Sequence, residues 1–337
     1  MTVMKREIEE HPGHMEYDYN GNVDENIVAF YDSLHTMFSK EQDCIDYLSM
    51  DNEFEDKRRK DNLRICEQCR LKMCQWKFQV AEVCNFQKVT VSVAMAYLDR
   101  FISSDHPESR IVLMNRKKYQ LAAMTCLYIA AKLFEPAVLG IKAISILSQG
   151  CYTEEDISQM ELNILEGLGW KLHSPTSYDF VHYIIRILSL HFPDKAPTFR
   201  ILSDFAEFML ELAISEYNLA IKRPSTIAVS AILNALECVD TDHFNVCERI
   251  EYIAFVQNIV HDKVQDPRMI TQTKAALLQA FHRLSGKEMG LFATKLKNSL
   301  DSSQKDIQEK ADCNIRKSPV CISRRNSVNI SEKGVLC

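Results

Sequence analysis

The sequence predicts an all-α protein built from two groups of helices. Glycine and proline, which interrupt helices, number nine each among 337 residues. Together they make up about 5% of the chain, well below their usual combined share of roughly 12%. Apolar side chains recur at spacings of three and four residues along ten segments, as they do on one face of a helix. Five segments precede the break at Ser174-Pro175-Thr176 and five follow it, which indicates two helical domains of about 100 residues each.

The first group of helical segments follows an acidic N-terminal arm, residues 1–43. This arm holds one weak helix candidate at 27–38. A short apolar segment from Cys44 onward is expected to form an N-terminal helix that leads into the folded body. The five segments of the group are then expected at about 62–86, 87–103, 115–134, 141–149 and 154–169.

Local signals justify these boundaries. Pro107 removes a donor and restricts the residue before it, so the second segment is expected to end ahead of it. The third segment is apolar or small on every side from Leu121 to Ala131, which is typical of a helix at the centre of a bundle. The fourth stops near Gly150, and Thr153 with Asp156 forms a capping-box signal for the fifth.

The second group also contains five helical segments, expected at about 177–190, 199–219, 224–238, 246–260 and 271–284. Pro224 lies in the first turn of the third of these, where its missing N–H is harmless. Polar and charged residues dominate after residue 286, so a mostly disordered tail is expected at 287–337. The two helical domains are therefore expected at 44–173 and 174–286.

Charge is unevenly distributed along the chain. The formal net charge is −6, but residues 1–56 carry −12 and the remainder about +6. This balance does not favour nucleic acid as a partner. The twelve cysteines are scattered among apolar neighbours, as free thiols are, and no secretory signal is visible, which indicates the nucleus and cytoplasm. The longest apolar run, 121–131, is too short to cross a membrane, and no membrane partner is expected.

Three charged residues, Arg70, Lys132 and Glu161, lie within strongly apolar helical patterns. A charged side chain on the apolar face of a helix needs a partner, because removing an unpaired charge from water is costly. The partner of Arg70 is expected within this chain. The partners of Lys132 and Glu161 can belong to another protein.

Several motifs occur in the order and spacing of the cyclin box. They are Arg70–Trp76, Ala96-Tyr97-Leu98-Asp99-Arg100-Phe101, Ala130-Ala131-Lys132, Met160-Glu161 and Arg223-Pro224-Ser225-Thr226-Ile227-Ala228. The chain therefore resembles a cyclin over about residues 44–284, and residues 159–180 are most similar to D-type cyclins.

This resemblance implies two tandem five-helix cyclin folds preceded by an N-terminal helix. It also implies a regulatory subunit that binds and activates a cyclin-dependent Ser/Thr kinase at cell-cycle entry (G1/S). No catalytic activity and no cofactor are expected, because the sequence has no Gly-rich phosphate loop, nucleophile elbow or paired catalytic carboxylates.

The resemblance implies a kinase-binding site at Lys132 and Glu161, which match the Lys and Glu that cyclins present to the kinase's regulatory helix. Lysine supplies donors there and glutamate supplies acceptors. Phe134 and Glu135 follow Lys132 and are included in the site, although Phe134 fits a core position equally well. Without the resemblance, Lys132 would be explained by its place at a helix C-terminus, and Glu161 by a solvated helix face.

Two further sets of residues match cyclin positions. Arg70 and Asp99 match a buried structural ion pair that holds the first two helices of the fold in register. Cys69, Met73 and Trp76 match parts of an apolar patch that docks Arg-x-Leu motifs of substrates and inhibitors. Lys72 replaces an aliphatic residue in that patch and narrows its apolar surface, which weakens the docking prediction.

The remaining motifs are less specific. Cys66 and Cys69 have the spacing of metal ligands, but a structural zinc site needs four ligands, so free thiols are favoured and no metal is expected. Lys57–Lys60 fits either a nuclear-localisation patch or a solvated helix face. Ser318, which precedes Pro319, and Ser327, which follows two arginines, match phosphorylation motifs.

Two alternative functions stay open. One is a transcriptional cyclin. The other is a cyclin-fold transcription factor or nucleic-acid-binding factor, which would be expected to carry a zinc ribbon and a basic surface. The acidic arm of this chain does not favour the second alternative.

Overall fold

The structure is a computed structural model that describes residues 25–45, 65, 67–136, 139–239, 244–261 and 267–283. Regular structure within these ranges is helical, without strands, so the all-α fold class is confirmed. The α-helices are α1 (Glu25–Ile45), α2 (Glu67–Cys84), α3 (Lys88–Ile102), α4 (Pro107–Met114), α5 (Arg116–Phe134), α6 (Ile141–Leu147), α7 (Glu154–Gly167), α8 (Ser177–His191), α9 (Ala196–Ser215), α10 (Tyr217–Ala220), α11 (Pro224–Cys238), α12 (Val246–Val260) and α13 (Pro267–His282). Over the same ranges, no helix combines the length and apolar character needed to span a bilayer.

Among the described residues, the first of two compact units falls within 43–176 and 213–221 and contains α2 to α7 and α10. Helix α5 lies at its centre and packs against α2, α3, α4, α6 and α7. The sequence predicts this central position, because α5 is apolar or small on every side. Its fully buried alanines, such as Ala123 and Ala130, let the neighbouring helices approach closely.

The second unit falls within residues 1–42, 177–212 and 222–304 and is centred on α11, which packs against α8, α12 and α13. Two polar contacts fix α11 against α13. Ser230 Oγ donates to the carbonyl of Ile270 at 3.3 Å, and Asn234 Nδ2 donates to the carbonyl of Lys274 at 3.0 Å. Because these contacts repeat after four residues on both helices, they set the register between them.

Helix α1 belongs to the second unit. Its Phe38 ring packs on Phe180 of α8, with ring centroids 5.0 Å apart. The buried carboxylate of Glu41 accepts hydrogen bonds from the backbone N–H and the hydroxyl of Ser225, both at 2.7 Å. Ser225 lies in the first turn of α11, where backbone N–H groups have no partner within the helix. Glu41 therefore acts as a cap supplied by a residue 184 positions away.

The structure differs from the sequence-based boundaries in three places. The helix candidate at 27–38 is confirmed as part of a longer helix, Glu25–Ile45, which begins well before Cys44 and buries Ile27 and Leu34. Pro107 starts the additional helix α4, with His106 Nδ1 accepting from the N–H of Glu108 as a cap. The segment expected at 199–219 is two helices, and the carbonyl of Ile214 at their junction accepts from Arg70. The predicted tail, 287–337, lies outside the described residues.

Candidate functional site

Lys132 and Glu161 contact each other on the surface of the first unit. Lys132 lies in the last turn of α5 and Glu161 in the middle of α7, and these two helices pack together. The Lys132 Nζ forms an ion pair with Glu161 Oε1 and lies 4.3 Å from the ring centroid of Tyr128, as in a cation–π contact. Their side chains are 34% and 18% exposed, so both charges stay accessible from outside.

Rigid helix ends hold this pair in place. Thr153 and Asp156 form the capping box that the sequence predicts at the start of α7, with Thr153 Oγ1 accepting from the N–H of Asp156 at 3.1 Å. At the other end, the backbone N–H groups of Gly169 and Trp170 bond back to the last turn. Lys132 at the C-terminus of α5 also complements the helix dipole. Glu161 is thus presented from a helix fixed at both ends.

Large apolar side chains on the two helices that carry this pair, or just past the end of α7, are exposed to solvent. Leu133 and Leu162 directly follow the two charged residues and are each 43% exposed. Trp170, just past the end of α7, is 63% exposed and has a φ of 61°, a conformation that is uncommon for a bulky residue. Sequence reasoning missed these residues. The signal was present, because Leu133 and Leu162 directly follow the two lone charges and Trp170 directly follows Gly167-Leu168-Gly169.

Phe134 and Glu135 make contacts within the unit. Phe134 packs against the core, and its ring centroid lies 6.0 Å from that of His173. The carboxylate of Glu135 accepts from the backbone N–H of Gln87 at 2.8 Å and from the hydroxyl of Thr90. Gln87 is the N-cap residue of α3, but its side chain accepts no hydrogen bond from the helix. Glu135 therefore supplies an acceptor at the start of α3. Both residues therefore have structural roles in the free chain.

Arg70 and Asp99 form a bidentate ion pair between α2 and α3. Arg70 Nε and Nη2 donate to the two oxygens of Asp99 at 3.0 and 2.8 Å, and Nη1 donates to the carbonyl of Ile214 at 2.6 Å. Burial alone would lower the pKa of Arg70, but the carboxylate of Asp99 outweighs it and the pKa is raised. The pair thus joins three segments of the first unit.

The three residues predicted for the docking patch are buried in this structure. Cys69, Met73 and Trp76 are 3%, 0% and 2% exposed and belong to the core of the first unit. They follow one another at spacings of four and three residues, so they share one face of α2, and that face packs inward. The exposed side of the same helix carries Lys72 and Gln75. An Arg-x-Leu peptide therefore finds no apolar surface at these three residues.

Other predicted features fall partly outside the described residues. Cys66, Lys57–Lys60, Ser318 and Ser327 all lie there, whereas the side chain of Cys69 is buried. Over the described ranges, no cluster of three or more His, Cys, Asp or Glu side chains has an arrangement able to hold a metal ion.

Comparison with known proteins identifies relatives of both halves of the chain. Residues 32–173 match the family described as "Cyclin, N-terminal domain", and residues 175–261 match "Cyclin, C-terminal domain". G1/S-specific cyclin-D1 of Danio rerio is 23% identical over 80% of this chain and 87% of that protein. Cyclin-A1-3 of Oryza sativa subsp. japonica is 28% identical over 48% of this chain, and the match covers 31% of the rice protein, less than a third of its length.

A solved structure was also found to be similar. The X-ray structure of a viral cyclin from herpesvirus saimiri has a TM-score of 0.48 and 18% identity, and it covers 65% of this chain and 86% of the viral one.

Proposed function

Because the chain belongs to the cyclin family, we propose that it is a non-catalytic regulatory subunit that binds and activates a cyclin-dependent Ser/Thr kinase. The observation that carries the proposal is the accessible ion pair between Lys132 and Glu161 with exposed leucines beside it. Polar groups at the centre of an apolar surface fix the orientation of a partner, while the apolar area supplies affinity.

The ion pair keeps free bonding capacity in the unbound chain. Lysine has three N–H donors and a carboxylate has several lone pairs, so one mutual contact satisfies only part of each. The remaining donors of Lys132 can bond backbone carbonyls of the kinase, and the remaining lone pairs of Glu161 can accept from its backbone or side chains. Leu133 and Leu162 would be covered at the same time. Activation then follows when this surface repositions the regulatory helix and activation loop of the kinase.

A role at cell-cycle entry is the finer part of the proposal. It is supported by the similarity to G1/S-specific cyclin-D1, which extends over most of both chains. A nuclear and cytoplasmic location belongs to the same proposal. The alternative of a transcriptional cyclin would use the same surface toward a different kinase, so the identity of the bound kinase separates the two.

Affinity purification of the full chain, with identification of the bound kinase, tests the proposal. Lys132→Ala and Glu161→Ala should each reduce kinase retention by roughly 30-fold or more, because truncating one partner of a desolvated polar contact costs about 2–5 kcal/mol. Lys117→Ala and Glu155→Ala, on exposed positions of the same two helices, are the matched controls and should retain the kinase. Unchanged retention by both site variants would contradict the assignment.

Trp170, which follows the C-terminal end of the helix that carries Glu161, provides an independent check. Its exposed ring is large enough to anchor a partner, so Trp170→Ala is expected to reduce kinase retention without loss of helicity. Circular dichroism of each variant separates loss of binding from loss of folding.

A further inference from the structure

Lys77 is a lysine inside the apolar core of the first unit. It follows Trp76 on α2 and is fully buried, with 0% of its surface exposed. Its Nζ donates to the carbonyl of Ala94 at 3.0 Å and to Sδ of Met95 at 3.3 Å, both on α3. One carbonyl oxygen and one weak sulfur acceptor are thus the groups that it reaches among the described residues.

The number of acceptors matches the neutral amine better than the ammonium ion. A neutral lysine amine has two N–H donors, and the site offers two acceptors. The protonated form has three donors and a full charge, so it carries one donor more than the described residues offer acceptors, at a fully buried position. The geometry around Nζ therefore favours the uncharged form.

Charged and titratable groups face Lys77 from the helices packed around it. Arg70 and Cys74 lie on its own helix, Asp99 on α3 and Cys126 on α5. Asp99 is already paired with Arg70, and no carboxylate of the described residues bonds to Lys77. Burial disfavours the charged amine more strongly than the nearby groups favour it, and lowers the pKa of Lys77 from 10.5 to about 8.

We propose that Lys77 is a proton-linked switch within the first unit: protonation of the buried amine weakens the packing of α2 on α3. The proposal concerns the stability of this unit and does not depend on kinase binding.

The direction of the effect follows from proton binding. At low pH the lysine is charged in both the folded and the unfolded chain, and the folded chain bears the cost of a buried charge. Between pH 8 and 10.5 the unfolded chain holds the proton and the folded chain does not, so a rise in pH stabilises the fold. With these two pKa values, the unfolding equilibrium constant falls by roughly 25-fold from about pH 7 to about pH 9.5.

Urea unfolding of the full chain, followed by tryptophan fluorescence, measures this effect. The chain has two tryptophans, Trp76 and Trp170, and both lie in the first unit. The unfolding constant of the wild type, divided by that of Lys77→Met, should fall by roughly 25-fold over this pH range. The other ionisable groups are common to both proteins and largely cancel. Lys72→Met, on the exposed side of the same helix, is the matched control and should keep the wild-type profile.

Parallel pH profiles for the wild type and Lys77→Met would overturn the proposal. A direct titration of the lysine side chains by NMR covers the case in which the variant does not fold. The wild type should show one lysine Cε signal with a midpoint near pH 8, as the pKa of Lys77 requires. A spectrum in which every lysine titrates near the ordinary value would overturn the proposal on its own.

Discussion

Replacing Asp99 by asparagine should destabilise the first unit more than replacing Arg70 by methionine. The side chain of Arg70 is 5% exposed and that of Asp99 is 21% exposed. Asp99→Asn keeps the shape of the side chain but leaves a buried positive charge without a counter-ion, which costs about 3–5 kcal/mol. Arg70→Met leaves a carboxylate that reaches water, so the main losses are hydrogen bonds, and about 1–3 kcal/mol is expected.

Urea unfolding of the full chain at neutral pH, followed by tryptophan fluorescence, gives both free energies for the first unit. Arg110→Met removes a positive charge from an exposed position on α4 and should change the free energy of unfolding by less than about 0.5 kcal/mol. Equal costs for Asp99→Asn and Arg70→Met, or a cost below about 1 kcal/mol for Asp99→Asn, would refute the reasoning, because each result would mean that the guanidinium finds another partner or water.

Three further substitutions test contacts described above. Glu135→Ala removes the acceptor at the start of α3 and should lower the free energy of unfolding by about 1 kcal/mol in the same assay; no change would exclude a capping role. Gly167→Ala places a Cβ 2.7 Å from Phe101 and should cost about 1–3 kcal/mol, whereas Gly140→Ala, with open space, should be tolerated. Burial raises the pKa of Glu41 above its ordinary value of 4.5. The folded chain therefore keeps this proton to a higher pH than the unfolded chain, and a rise in pH above 4.5 destabilises the fold. Glu41→Gln should therefore become more stable relative to the wild type as the pH rises from 4 to 7, measured by unfolding followed by circular dichroism. Parallel pH profiles of the two proteins would contradict this.

Helical periodicity was sufficient to predict the helices that form the core of each unit. The central position of α5 follows from its all-round apolar composition, and the start of α7 from Thr153 and Asp156. Helix α4 was missed because Pro107 was interpreted as the end of a helix, although proline is equally suited to the first turn of a new one. Contacts between residues far apart in the chain, such as Glu41 with Ser225, leave no periodic signal.

The candidate site was predictable where a lone charge interrupted an apolar pattern. Arg70, Lys132 and Glu161 met this criterion, and the structure pairs Arg70 with Asp99 and Lys132 with Glu161. Lys77 met the same criterion between Trp76 and Phe78 but was overlooked. For the three docking-patch residues the sequence was less informative, because an apolar stripe on a helix does not reveal whether it meets solvent or the core.

The cap that Glu41 supplies to α11 has a consequence for synthesis of the chain. Helix α1 precedes the other described helices in the chain, yet the residue that Glu41 must reach follows 184 positions later. At typical rates of translation, this cap therefore cannot form until on the order of 10–40 s after Glu41 has been added to the chain. During the earlier part of that interval, before α8 is synthesised, Phe38 lacks its partner Phe180, and this apolar face of α1 is open to chaperones and to neighbouring nascent chains. The contacts of α1, although it is translated before the other described helices, thus include one of the later ones to form in the described part of the chain.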